Sequence, residues 1–293
     1  MPHTGFELLP SEVIGAIERL AGDRSLSFQQ MSQRLIDSLK PMNGALLLQH
    51  LEYAGIIPER YGHDSTEEKL YAKYCDFLLA ESLAALGLNS MVIQERADAP
   101  DVKGESPGRY TMVGDAKGFR LSRTAKNQKD FKVEALNDWR GEADYACMVS
   151  PIFQYPTKKS QIYSQARARN VTLLSFTHLH LMLKSLRGKS KPDLEPLWKI
   201  PGSLPKGAGA QDYWQAIDSK MLELSSASQQ DWNDSKNLTS VAFHARAQEE
   251  IEFWDSEKDR LGGLTKTDLL KELIKALKVN GKIEKIKKMS QSS

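Results

Sequence analysis

Asp101, preceded by Pro100, is followed fourteen residues later by Asp115, Ala116 and Lys117 in the run GDAK. Two converging carboxylates, with the backbone carbonyl of Ala116 beside them, make an oxygen site suited to Mg²⁺, which also keeps several waters. Mn²⁺ accepts the same donors. An ammonium held next to such a site, here that of Lys117, can orient or deprotonate a water. A bound metal acidifies that water and neutralises charge on a phosphorane-like transition state. The chemistry these residue types suggest is metal-assisted phosphodiester hydrolysis. Asp-x-Lys alone arises by chance in many chains, whereas Pro-Asp and Asp-Ala-Lys spanning one hairpin is a more specific pattern. The competing reading makes Asp101 a turn cap and Asp115–Lys117 a surface ion pair.

The residues that follow favour the hydrolytic reading. Between positions 117 and 132 stand Lys117, Arg120, Arg123, Lys126, Lys129 and Lys132 against one acid, Asp130, a local charge of about +5. Arg and Lys neutralise phosphates and can read guanine, and Asn127 or Gln128 can bond an adenine edge bidentately. The methyl groups of Thr124 and Ala125 can touch a thymine methyl. A helix starting near Asn127 would point its free N–H groups at a phosphate. Gln154, Lys158 and Lys159 are further candidate contacts, while Ile152 and Phe153 read as core.

Other groups compete for the same roles. Glu68, near the start of a helix, is a candidate third acid, or else the capping-box partner of Ser65. Asp98 competes with Asp101 but lacks the preceding proline. His178 and His180 are two apart, which puts them on different faces of a helix, so they read as structural rather than metal-ligating.

These side chains need a scaffold. Residues 11–57 read as helices with a break at Pro41 and Gly44, and Ser65 to about Leu86 as a helix stopped by Gly87. The period then changes to that of strands at 89–95 and in RYTMVGDAKG, joined by a turn-rich stretch. In the resulting hairpin Asp101 starts one strand and Asp115 ends the next. Asp115 and Lys117 then share a face, with Ala116 turned away. A helix carrying Phe131, Ala135 and Trp139 on one face follows, then strand DYACMVSP, helix 160–169, strand NVTLLSF and helix 178–186. Helix, three strands, helix, strand, helix, strand, helix is the order of an α/β domain with a mixed sheet covered by helices. The Pro-, Gly- and Lys-rich stretch from Arg187 to Gln211 reads as linker or exposed loop. Beyond Asp212 the pattern is helical to near Lys288. The run with Leu270, Leu273, Ile274 and Leu277 on one side suits packing on its own domain or on a dimer partner. The expected division is 1–60, a helical N-terminal part; 61–190, the α/β core; and 191–293, a mainly helical C-terminal part.

With 293 residues, 40% hydrophobic and 27% charged, the chain has the composition of a globular protein. A net charge of +2 says little about partners on its own. Cys75 and Cys147 are too few for a disulfide framework and read as buried thiols. No apolar stretch approaches the roughly 20 residues of a membrane span, and MPHTGFELLPSE is unlike a signal peptide. A cytoplasmic protein without membrane partners is expected.

The stretch DAKGFRLSRTAKNQKDFKVEALNDWR, continued by DYACMVSPIFQYPTKKSQIYSQ, closely resembles the HindIII-type restriction endonucleases, and STEEKLYAKYCDFLLAESLAALGLNS is similar to theirs. The resemblance is strong from about residue 64 to 178 and thins after about 200. It implies a PD-(D/E)XK nuclease core with helical N- and C-terminal parts. It further implies Mg²⁺-dependent type II cleavage of double-stranded DNA at AAGCTT after the first A, with 5′ overhangs. The metal carboxylates carry over onto Asp101 and Asp115, and the lysine onto Lys117. A palindromic target implies a homodimer, working alongside a cognate DNA methyltransferase. The alternative is an inactive or differently targeted nucleic-acid-binding protein of the same fold, such as a repair-type nuclease. Loss of an acid or the lysine would mark inactivity, and all three are present.

Overall fold

Val102 pairs with Gly114, and from that register the hairpin carries Asp101 and Asp115 to one end of the sheet. The computed structural model describes residues 8–40, 42–93, 99–123, 131–157 and 160–291. Strands β1 (Asn89–Val92), β2 (Val102–Ser106) and β3 (Tyr110–Ala116) form an antiparallel meander. β4 (Tyr145–Ser150) and β5 (Val171–Ser175) add in parallel to β3, so the sheet order is β1-β2-β3-β4-β5. The parallel strands are almost wholly buried, as strands covered on both faces by crossover helices must be. The expected mixed sheet flanked by helices is the one observed.

Three helices, α1 (Val13–Gly22), α2 (Phe28–Leu39) and α3 (Gly44–Tyr53), pack on α4 (Thr66–Ala85). Ser65 Oγ accepts from Glu68 N at 3.2 Å to cap α4. Gly87, at φ +109, ends it in the left-handed region that favours glycine. α4 lies on the sheet so closely that a Cβ at Gly114 would come within 2.9 Å of Leu79. That approach brings the middle of α4 against the end of β3. The crossovers are α5 (Val133–Trp139) and α6 (Gln161–Arg169), and α7 (Phe176–Ser185) follows β5 directly.

Several expectations need correction. The helix read through Phe131, Ala135 and Trp139 is interrupted at Lys132, which is left-handed at φ 48, and its described part runs from Val133 to Trp139; the expected start near Asn127 lies outside the described residues. The buried face is therefore Val133 and Leu136. Phe131, on the other side of the break at Lys132, stacks on Tyr155 with centroids 5.0 Å apart. The stretch 187–211 is not merely a linker. It contains α8 (Glu195–Trp198) and α9 (Ile200–Ser203), each with proline in its first turn, where the missing N–H costs nothing. Trp198 is buried there and donates to the Tyr110 hydroxyl at 3.1 Å. Phe153 is not core: it is 42% exposed and packs beside Phe243.

Helices α10 (Ala210–Ser225), α11 (Gln229–Gly262), α12 (Lys266–Ala276) and α13 (Val279–Gln291) complete the chain. The chain divides into two compact units, residues 1–246 and 247–293. Within the first, one hydrophobic cluster runs from Val13 to Trp232 and joins the N-terminal helices to the sheet. Within the second, α12 has no buried residue. Cys75 and Cys147 are free and buried, and burial pushes both thiols up, Cys147 to about 12.

Candidate active site

The end of β3 faces the flank of α4, and three carboxylates meet there. Asp115 is fully buried on β3. Lys117 N donates to Val149 O at 2.7 Å, extending the parallel ladder beyond the strand. The alternation therefore holds and turns Lys117 to the face of Asp115. Its Nζ stands 2.5 Å from Asp115 Oδ2. Asp101 immediately precedes β2, and its carbonyl accepts from Ile93 N at 2.8 Å.

The third carboxylate is Asp76, 2% exposed in the middle of α4. Its Oδ1 accepts from Ala116 N at 3.4 Å. One turn earlier, Lys73 donates to Asp101 Oδ1 at 2.8 Å and to Asp76 Oδ2 at 3.4 Å. Oxygens of Asp76, Asp101 and Asp115 all lie within 4.8 Å of one another.

Burial dominates the electrostatics. It raises the Asp115 carboxyl above its ordinary range despite the opposing charge of Lys117. Burial, and then the like charge of Asp101, hold Asp76 well above that range, with Lys73 opposing. For Lys117, burial works to lower the ammonium pKa, but Asp115, Asp101 and Asp76 outweigh it and the net shift is upward. Lys73 follows the same balance through Asp76 and Asp101.

Three acids against two lysines leave a formal deficit of one positive charge when all are ionised. Both Asp115 oxygens are buried: Oδ2 is held by the Lys117 ammonium, and Oδ1 has no hydrogen-bond partner among the described residues. A buried carboxylate oxygen without a donor is costly. A divalent cation would satisfy it, and the donor set is all hard oxygen. The residues present fit a magnesium-type ion.

Glu68 is not part of this cluster. It sits eight residues, more than two helical turns, before Asp76. Its carboxylate accepts from Asp64 N at 2.6 Å and from Arg120 Nη1 at 2.8 Å. Its acid neighbours are in a separate group with His63 and Asp64. Nor does it close a capping box, since it bonds the residue before the cap.

Arg120 departs from expectation for the same reason. Its side chain is 13% exposed and is committed to Glu68 and to Tyr61 O, rather than turned outward as a DNA contact. A cation counted as surface charge here neutralises an acid inside the fold. Gln154 is buried as well, so it does not present its amide at the surface. Arg123 is exposed. Lys132 is exposed at the start of α5, and its charge reaches Asp115. Asp98, Thr124, Ala125, Lys126, Asn127, Gln128, Lys129, Lys158 and Lys159 lie outside the described residues. His178 is hydrogen-bonded to Ser175 and Asp218 and stacked on Trp214 and Trp232, and His180 bonds Ser235. Both serve the core.

Asp76 and Lys73 belong to no motif in the sequence. The signal for Asp76 was an acid within the apolar run YCDFLLA of a helix buried on nearly every side. Lys73, one turn away, was its available partner.

The profile of the HindIII restriction endonuclease family matches residues 11–290 of this chain. The type II restriction enzyme HindIII of Haemophilus influenzae is 34% identical over 281 residues, covering 94% of this chain and 93% of that enzyme. No helix among the described residues is long and apolar enough to cross a membrane.

Proposed function

Since the chain belongs to the HindIII restriction endonuclease family and is a type II DNA endonuclease, we propose that it cuts both strands of AAGCTT after the first A, leaving 5′ overhangs, with magnesium at its acid cluster. The observation that carries the metal reading is the convergence of Asp76, Asp101 and Asp115 within 4.8 Å, with the buried Asp115 Oδ1 lacking a hydrogen-bond partner among the described residues. Asp101, Asp115 and the carbonyl of Ala116 would hold the ion, with Asp76 as the third acid. When bound, magnesium supplies positive charge to phosphate oxygens and makes water a better nucleophile near neutral pH.

The chain's own groups do the rest. Lys117, at the open edge of the site with its side chain 21% exposed, holds an ammonium where the scissile phosphate would sit. It orients the attacking water and opposes the negative charge building on the phosphoryl oxygens. Asp76 and Lys73 keep the acids in register from α4. Lys132 and Arg123, with residues 124–129, bind the duplex beyond the site: the lysines and Arg123 at phosphates, Asn127 and Gln128 at base edges.

A palindromic target calls for two copies related by a two-fold axis, each cutting one strand. The working form is accordingly a homodimer in the cytoplasm, paired with a methyltransferase that protects the same site. Mn²⁺ should substitute for Mg²⁺, whereas Ca²⁺, with longer and looser coordination, should support binding without cutting.

The test is a digest of a sequenced plasmid with mapping of every end, run with Mg²⁺ and with excess chelator. Ends at AAGCTT with 5′ overhangs, lost in chelator, are the expected result. Ends elsewhere would overturn the target, and undiminished cutting in chelator would overturn the metal.

A further inference from the structure

The short stretch between Lys117 and the proposed DNA-reading segment is bonded to the chain that enters α4. Phe119 N donates to Gly55 O at 2.8 Å, and Ile57 N donates to Phe119 O at 3.1 Å, a parallel bridge outside the main sheet. Arg120 Nη2 then donates to Tyr61 O at 2.7 Å, while its Nη1 donates to Glu68. Ser122 closes the series. Its N–H donates to Glu59 Oε1 at 2.8 Å and its hydroxyl to Glu59 Oε2 at 2.7 Å.

The receiving surface is itself held in place. Gly55 has φ +84, and a Cβ there would meet Pro151 at 2.5 Å and Phe176 at 2.7 Å. Gly55 is thus packed closely against Pro151, just past β4, and Phe176, at the start of α7.

Glu59 stands out in this series. It lies in no helix or strand, yet is only 8% exposed. Burying a carboxylate is expensive unless its oxygens are bonded. Both oxygens of Glu59 accept from Ser122, which lies two residues before Thr124. A buried acid that bonds a loop residue through both oxygens makes sense where the position of that residue matters.

We infer that Glu59 is a specificity-positioning residue: it fixes the point and direction from which the DNA-reading segment departs relative to Lys117. The inference rests on the proposed reading of AAGCTT by residues 124–129. A base contact discriminates only while donor and acceptor stay aligned within hydrogen-bonding geometry. Phosphate contacts made by long lysine and arginine side chains tolerate small displacements. Loosening the Glu59–Ser122 bonds should therefore cost discrimination before it costs affinity for DNA in general.

The experiment compares full-length wild type, Glu59→Ala, Glu59→Gln and Ser122→Ala. Thermal melting establishes that each variant is folded. The cutting site is first mapped with wild type, and kcat/KM is then measured on that duplex and on duplexes altered at single base pairs. Glu59→Ala should lower the cognate-to-altered ratio about tenfold, the scale of one base contact. Glu59→Gln keeps an acceptor for Ser122 N and should restore most of the ratio. Ser122→Ala keeps the N–H bond and should fall between. A folded Glu59→Ala with the wild-type ratio, or one slowed equally on all duplexes, overturns the inference while leaving the proposed target intact. Should Glu59→Ala fail to fold, an unchanged ratio in Ser122→Ala overturns it. A wild type that cuts without sequence preference overturns both.

Discussion

Lys73 and Asp101 are 28 residues apart in the chain, yet the ammonium of one donates to the carboxylate of the other at 2.8 Å. The bond ties α4 to the residue that leads into β2 and passes beside Asp76 on its way. Lys117 makes a second such pair with Asp115. Each lysine thus opposes the mutual repulsion of acids that burial alone would drive toward their neutral forms. The same two contacts define what a divalent ion has to compete with, and what it adds.

Asp101→Asn, Asp115→Asn and Lys117→Ala should each lower cleavage of AAGCTT plasmid by at least about 10²-fold, the scale for losing one charge-stabilising group in a transition state. All three should remain folded, since the first two changes are near-isosteric and Lys117 lies at the rim. Single-turnover kinetics together with circular dichroism provide the check. A variant that keeps wild-type turnover removes its residue from the proposed machinery.

Asp76→Asn and Glu68→Gln separate the observed third acid from the one first expected. Asp76 shares the cluster with Asp101 and Asp115, whereas Glu68 is bonded to Arg120 and to the backbone ahead of α4. Asp76→Asn should weaken activity or metal affinity about 10- to 100-fold, the range for groups that support a metal site. Glu68→Gln should leave the metal dependence unchanged. Mn²⁺ titration of activity and calorimetric Ca²⁺ binding would expose the reverse order if it held.

How far these residues could be read from the chain follows from what each depends on. Asp115 and Lys117 were legible because strand alternation assigns faces locally, and the observed register preserves it through Lys117 N–Val149 O. Asp76 was not, because its role depends on how near α4 lies to β3. That distance is set by Gly114 and Leu79, residues distant in sequence and silent about chemistry. Arg120 was misread since a sequence shows its charge but not the acid that answers it across 52 residues. Pro196 and Pro201 suggested a loop because proline breaks helices, yet both stand in first turns, where it is tolerated. Long-range pairing, more than local propensity, separates the parts that were read correctly from those that were not.

Lys73→Met should lower the melting temperature in chelator, because Asp101 and Asp76 lose their shared cation. The cost should be below the roughly 3–5 kcal/mol of breaking a fully buried pair, since the Asp101 side chain is 34% exposed. Added Ca²⁺ should then stabilise the variant more than the wild type, because a ligand stabilises by its affinity for the folded state and the lysine no longer competes. Melting curves across a Ca²⁺ series decide the matter. Equal gains in both proteins would mean that Lys73 does not share the ion's position.

Asn127→Ala and Lys132→Ala address which residues read sequence and which hold the backbone. Asn127 can bond both N6 and N7 of an adenine, a contact worth about 1–3 kcal/mol of discrimination, and a dimer on a palindrome would lose it twice. Its replacement should cut the preference for AAGCTT over sites altered at an A·T pair. Lys132 is exposed, at the start of α5, and close enough for its charge to reach Asp115. A cation in that position meets phosphate rather than base. Lys132→Ala should weaken binding to every duplex alike and make the salt dependence shallower, since fewer counterions are released. Competition binding in Ca²⁺, on cognate and single-substitution duplexes over a salt series, distinguishes the two effects. If Asn127→Ala lost affinity uniformly while Lys132→Ala lost discrimination, the assignments would be reversed, and the base-reading surface would lie at α5 rather than in the segment before it.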